Sequence, residues 1–269
     1  MTRRRRGVAL MLALWLIVLL TVLGGRVASS ARNTTGVASN IRARLVGRYA
    51  SESGIVLAAA QMRDSLARIT DPEKRSMYLN SLQPRSAKAP ETEFGDERFA
   101  VVYVDVNSRL DVNNASLAQL TRLFSYFIGG AEAASAAKAI RDFVDAPSGA
   151  REFPRAGLPD RGDLAYPKLP SANSLRTLEE LGRIPGFPER LAHSVAPYLT
   201  VDGDGRINRS AASDTVMAAA AGSVINEPSR ILVISRGWLR GQPLTHEIQA
   251  VYAIEGNSVT LVRWQERDL

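Results

Sequence analysis

Hydrophobic and polar positions divide the chain into regions of different period. From Val8 to Leu23 there is no charge, and Thr21 is the one polar side chain. This run follows Arg3-Arg4-Arg5-Arg6-Gly7 and ends at Gly24-Gly25-Arg26. A helix of residues 8–25 rises about 1.5 Å per residue, enough to cross most of a hydrocarbon core, with the arginines held on the cytoplasmic side. Beyond it, Ile41, Leu45, Tyr49, Glu52, Val56, Ala59, Met62, Leu66 and Ile69 recur at helical spacing. That stripe predicts a helix packed on a soluble domain. Asp71-Pro72 is a stop signal, so one helix is expected from about Val8 to Thr70, with a break near Thr34-Thr35-Gly36 left open.

Residues 83–97 are polar and read as a loop. Phe99 to Val106 is rich in branched and aromatic residues and reads as a strand. Leu110 to about Gly222 reads as helices and loops. Asn114 or Ser116 caps a helix at Leu117, a second carries Ala136, Ile140 and Val144, and residues 145–168 are a Pro-rich loop. Leu175–Leu181 and Pro188–Leu199 are two further helices around an Ile184–Phe187 hairpin. Strands return at Arg230–Ser235, His246–Ile254 and Val259–Trp264, the last two joined at Glu255-Gly256-Asn257-Ser258. Residues 108–115 faintly resemble 204–211: each has a turn, an apolar residue, an Asn and a helix start.

The fold class is therefore α+β, a long N-terminal helix on an antiparallel sheet with an all-helical domain inserted between strands. The boundaries are a leader 1–7, an apolar helix 8–25, the rest of the helix with the loop and first strands 26–110, the helical insert 111–225, and the closing strands 226–269.

Composition narrows the chemistry. The chain has 269 residues and a net charge of +7, but the leader holds four of the 34 basic residues. Without it, 30 basic residues face 27 acidic ones, or +3, so no nucleic-acid partner is expected. There is no Cys, which excludes disulfides and Cys-ligated zinc. The two His, His193 and His246, stand without a nucleophile or partner motif, and no enzyme is expected. Leu178–Phe187 resembles a helix-hairpin-helix, with Arg183 and Arg190 as phosphate partners, although such a hairpin equally packs helices. Asp202-Gly-Asp-Gly-Arg-Ile-Asn208 resembles part of a calcium loop, making Asp202, Asp204 and Asn208 the candidate ligands and calcium the candidate cofactor. The bidentate acid of such loops is missing, since Ala211 stands in its place, so a plain acidic turn is the competing reading.

The basic run, Gly7 and apolar helix together resemble the class 3 signal of type IV pilins and type II secretion pseudopilins. An ordinary signal peptide cut near Ser30, or an uncut anchor, also fits this stretch. Over nearly the whole chain the order is similar to the K-type minor pseudopilin of the type II secretion system. The residues that carry this are Asp111-Val-Asn-Asn-Ala115, Ala139–Asp145, Ala172–Leu175, Glu179–Leu181, Ile184-Pro-Gly186, Ala196–Thr200 and Arg206-Ile-Asn208. The resemblance implies peptidase cleavage between Gly7 and Val8, with N-methylation of Val8. It also implies the absence of the usual Glu at the fifth mature position, here Leu12. The implied partners are I- and J-type minor pseudopilins, the major pseudopilin, the inner-membrane assembly platform and the prepilin peptidase. The implied place is the inner membrane, single-pass, with most of the chain periplasmic. The implied role is a tip subunit that starts a pseudopilus for export of folded proteins. The alternatives are a minor pilin of a type IV pilus or a membrane-tethered helix-hairpin-helix nucleic-acid binder.

Overall fold

The computed structural model describes residues 3–83, 89–146, 174–220 and 223–269; within the first helix, the side chains of residues 3–10, 24–25 and 27–35 lie outside the description. Helix α1 runs unbroken from Arg3 to Arg68, 66 residues or about 100 Å at the α-helical rise. Asp71-Pro72 both ends and restarts the chain. Asp71 caps α2 (Pro72–Ser81) by accepting the Glu73 amide at 2.9 Å, and Pro72 supplies the first turn. The sequence reading contains no such helix.

The polar stretch read as a loop holds a strand. β1 (Glu91–Phe94) turns through Gly95, at φ 61°, into β2 (Glu97–Asp105). β2 pairs antiparallel with β7 (Arg230–Leu239), from Glu97 opposite Leu239 to Asp105 opposite Ile231. β8 (Thr245–Glu255) and β9 (Ser258–Asp268) complete a five-stranded sheet in the order β1-β2-β7-β8-β9. Segment 106–229 thus leaves and re-enters the sheet at one end of two adjacent strands. α1 crosses one face and meets β2, β7, β8 and β9.

Between β2 and β7 stand α3 (Leu117–Phe124), α4 (Gly130–Val144), α5 (Glu189–Val195) and α6 (Asp214–Ala219). Ser116 is the cap of α3 in a full capping box with Gln119. The region read as a helix at 175–181 is a 3-10 helix at Leu178–Arg183, and 188–199 shortens to α5 and a 3-10 turn at Pro197. Most of the 145–168 loop and the end of the last helix at Gly222 lie outside the described residues.

Among the described residues stand four two-residue strands that the sequence pattern does not predict. β3 (Leu110–Asp111) pairs parallel with β4 (Leu199–Thr200), and β5 (Ile207–Asn208) with β6 (Val224–Ile225). They reveal the register of the faint repeat, a shift of 97 that sets Asn107 against Asp204. Asp111 accepts the Asn113 amide at 3.0 Å, and Asn208 accepts that of Ser210 at 3.1 Å. Ser116 and Ser213 then cap α3 and α6.

Among the described residues, two groups of buried residues form. One joins α1 and the sheet through Ile55, Met62, Leu66, Val233, Ile248 and Tyr252. The other joins Leu120, Phe124, Ile140, Leu181, Phe187 and Leu199 within 110–220.

Candidate functional site

The face of α1 turned to the sheet is not the one its large apolar side chains suggest. Ala43 and Ala50 are fully buried, and Gly47 and Gly54 alternate with them at spacings of four, three and four. A Cβ on Gly54 would stand 2.2 Å from Ser235 Oγ. One on Gly237 of β7 would stand 2.3 Å from both Gly47 O and Ser51 N. Backbone meets backbone here, and small residues, Gly, Ala and Ser51, take the contact. Ile41, Leu45, Tyr49 and Val56 are consequently turned away, with Tyr49 60% and Val56 62% exposed. This corrects the expected core stripe, which holds from Ala59 through Met62 to Leu66 but not before. With Val37, the outward residues form an apolar strip along the free side of the helix, interrupted by the exposed Glu52. Strips of this kind on a soluble surface mark partner contacts.

A second polar centre lies where segment 106–229 joins the sheet. Asn107, fully buried, donates to Asp204 Oδ1 at 2.8 Å and to the Arg206 carbonyl at 3.0 Å. Its Oδ1 accepts from the amides of Ser229 and Arg230 at 2.9 and 2.8 Å. Asn208 donates to Asp105 at 2.7 Å and to Asn80 of α2 at 2.8 Å. Arg230 donates to the carbonyls of Asp202 and Gly203, and Arg263 of β9 to Asp202 Oδ1 at 2.5 Å. Burial raises the carboxyls of Asp105, Asp111 and Asp202 above the ordinary range. Burial also pushes on Asp204, but hydrogen bonds from Arg206 and Ser229 outweigh it and hold that carboxyl low.

The sequence-derived site residues fall in different places. Gly7 and Val8 belong to α1, but their side chains lie outside the described residues. Leu12 is exposed on α1. Among the described residues no helix is long and apolar enough to cross a membrane. The described apolar side chains run from Met11 to Leu23, and positions 8–10 and 24–25 of the expected span are outside the description.

Asp202, Asp204 and Asn208 are all part of the junction, yet each is already engaged. Asp202 is bound by Arg263, Asp204 by Asn107, Arg206 and Ser229, and the Asn208 oxygen by the Ser210 amide. A calcium ion would have to displace two guanidiniums and several hydrogen bonds, so these residues do not fit the ion. Among the described residues no three His, Cys, Asp or Glu are grouped to hold a metal. The Ile184–Phe187 hairpin packs inward, with Phe187 edge-on to Phe124 at 5.8 Å. Arg183, Arg190 and His193 are exposed, whereas His246 is buried. Sequence reading missed the Ala43-Gly47-Ala50-Gly54 ridge, whose small-residue spacing was its one signal. It also missed Asn107, Ser229 and Arg230, for which there was none.

No family model and no curated protein matches this chain. Among solved structures it resembles a chain from the crystal structure of the GspK-GspI-GspJ complex from the enterotoxigenic Escherichia coli Type 2 Secretion System. The TM-score is 0.50 at 13% identity, over 82% of this chain and 98% of that one. The two chains share a fold. The α+β class, with a long helix and an antiparallel sheet, agrees with what the resemblance of Asp111–Ala115, Ile184–Gly186 and the other motifs implied.

Proposed function

We propose that this chain is a K-type minor pseudopilin, a membrane-anchored and non-enzymatic subunit of a type II secretion system. The observation that carries the reading is the match of fold over 98% of a chain that belongs to a GspK-GspI-GspJ assembly. The order of four Arg, Gly7 and an apolar helix supports it, as does the outward apolar strip of α1. In this reading the prepilin peptidase cuts between Gly7 and Val8, and the new N-terminus at Val8 is methylated. Residues 8–25 stay in the inner membrane, and the rest is periplasmic. Residues 111–225 form an inserted helical domain. I- and J-type pseudopilins join it at the tip, and the major pseudopilin extends the filament beneath from the assembly platform.

Leu12 fits that place. An unpaired carboxylate in a bilayer costs several kcal/mol, so a Glu there needs the amine of a neighbour above it. A tip subunit has no such neighbour, and Leu is solvated by lipid. Calcium has no part in this proposal, given its poor fit to Asp202, Asp204 and Asn208. The test is mass spectrometry of the mature N-terminus, together with the position of labelled protein on sheared filaments. A start at Val8 and label at one end are expected. A start near Ser30, or label along the shaft, would overturn the reading.

A further inference from the structure

His246 is one of two histidines in the chain and lies buried where α1 enters the sheet. Its cross-strand neighbours are Gly237 on β7 and Asp268 on β9. Its Cβ would be 3.6 Å from a Cβ on Gly47, so the ring fills the crevice beside the tight helix–sheet crossing. Nδ1 lies 2.7 Å from Asp268 Oδ1. Nε2 faces Glu266 Oε2 at 3.4 Å and has no hydrogen bond of ordinary geometry. The ring is thus flanked by a carboxylate on each nitrogen, both from the last residues of the chain.

The neighbouring charges are mixed. Glu266 also pairs with Arg48 of α1 at 3.2 Å, and Arg44 of α1 lines the same small crevice with Asp268. β7 presents the uncharged Gly237, and the Leu269 amide donates to the Thr245 carbonyl at 2.9 Å. A neutral imidazole has one N–H and serves one carboxylate; its other nitrogen then turns a lone pair toward the second. An imidazolium serves both.

We propose that His246 is a proton-operated latch that fastens the end of β9, residues 266–269, to the point where α1 enters the sheet. With the imidazolium present, Asp268 and Glu266 are both held and the strand end is closed. Loss of the proton leaves the ring serving one carboxylate, with Glu266 kept by Trp264 and Arg48, and loosens the strand end. The Trp264 indole N–H, then Arg48 and His246, hold the Glu266 carboxyl below its ordinary range. Its contribution is therefore present above that range and is lost only in strong acid. The latch is closed while the imidazolium faces two ionised carboxylates, and it opens when the ring loses its proton or the carboxylates gain one.

The test is amide hydrogen exchange by mass spectrometry on the full chain in detergent. It follows peptides covering 262–269 between pH 3 and 8, after correction for intrinsic exchange. Imidazole NMR on the same protein follows the two His, assigned with His193→Gln. Protection of 266–269 is expected to fall about tenfold as pH rises, with the midpoint of the His246 titration. His246→Gln and Asp268→Asn are each expected to give low protection without that midpoint. A flat profile in the native chain, or an unchanged one in Asp268→Asn, overturns the proposal. Asp268→Asn decides alone if His246→Gln disturbs the fold by circular dichroism.

Discussion

Gly237 carries more of the architecture than any large side chain near it. A methyl group there would meet the Gly47 carbonyl and the Ser51 amide at 2.3 Å, and neither backbone atom can yield without moving α1. Gly237→Ala is therefore expected to cost about 3 kcal/mol in urea denaturation, at the upper end for overpacking. Loss below about 1 kcal/mol would show that helix and sheet can part at small cost. Asp111 offers a second test, because Asn208 holds the equivalent place in the other repeat. Burial raises the Asp111 carboxyl, so the folded state binds its proton more tightly than the unfolded chain does. That charge opposes folding above its folded pKa, and the cost fades as pH falls toward the ordinary carboxylate value. Asp111→Asn keeps the acceptor for the Asn113 amide, and the Asn114 amide can turn to offer its oxygen. The variant should match or exceed the native chain by up to about 1 kcal/mol at neutral pH, with the gap narrowing as pH falls toward the ordinary carboxylate range.

Among the elements, α1 has two working faces. The side toward the sheet is made of Ala and Gly, and its stability comes from close approach together with Ile55, Met62 and Leu66. The side away from it exposes Ile41, Leu45, Tyr49 and Val56. If that strip receives neighbouring pseudopilins, Tyr49→Glu should leave the unfolding free energy in urea within about 0.5 kcal/mol of native. It should weaken capture by I- and J-type partners about tenfold or more, as expected for an aromatic anchor. A fall in stability instead would make the strip part of the fold, and unchanged capture would place the interface elsewhere. β9, by contrast, is an edge strand. It leaves Leu261, Val262 and Trp264 exposed, and its far end is held by the His246 contacts.

At the scale of the whole molecule, the helical segment begins and ends beside one another. β2 and β7 are neighbours, so replacing 111–225 by a short linker leaves their register available. Expressed from residue 32, the shortened chain should fold cooperatively with the strand signal of the sheet intact in circular dichroism. An unfolded product would mean that the junction formed by Asn107, Asp204, Asn208 and Ser229 is required for the sheet itself. The register of 97 between the two repeats explains how that junction is built. Equivalent residues, Asn107 and Asp204, bond to each other, and each repeat then starts a helix from a capping Ser.

Periodicity determined much of this protein before any coordinates. The long helix, the four main strands, a helix cap at Asn114 or Ser116 and the order strand, helices, strands were legible because each depends on local pattern and turn chemistry. β1 was hidden because Glu91–Phe94 is exposed throughout and has no apolar alternation. The two-residue parallel ladders were hidden because pairing of that length leaves no period. The face of α1 was misread for a different reason. Large apolar residues usually turn inward, but here the sheet approaches so closely that small residues take the contact and the large ones are displaced outward. The candidate calcium residues illustrate the same limit. Their spacing is visible in the chain, but the donors that occupy them, Asn107, Ser229 and Arg263, arrive from remote positions, and only the tertiary structure decided that they would.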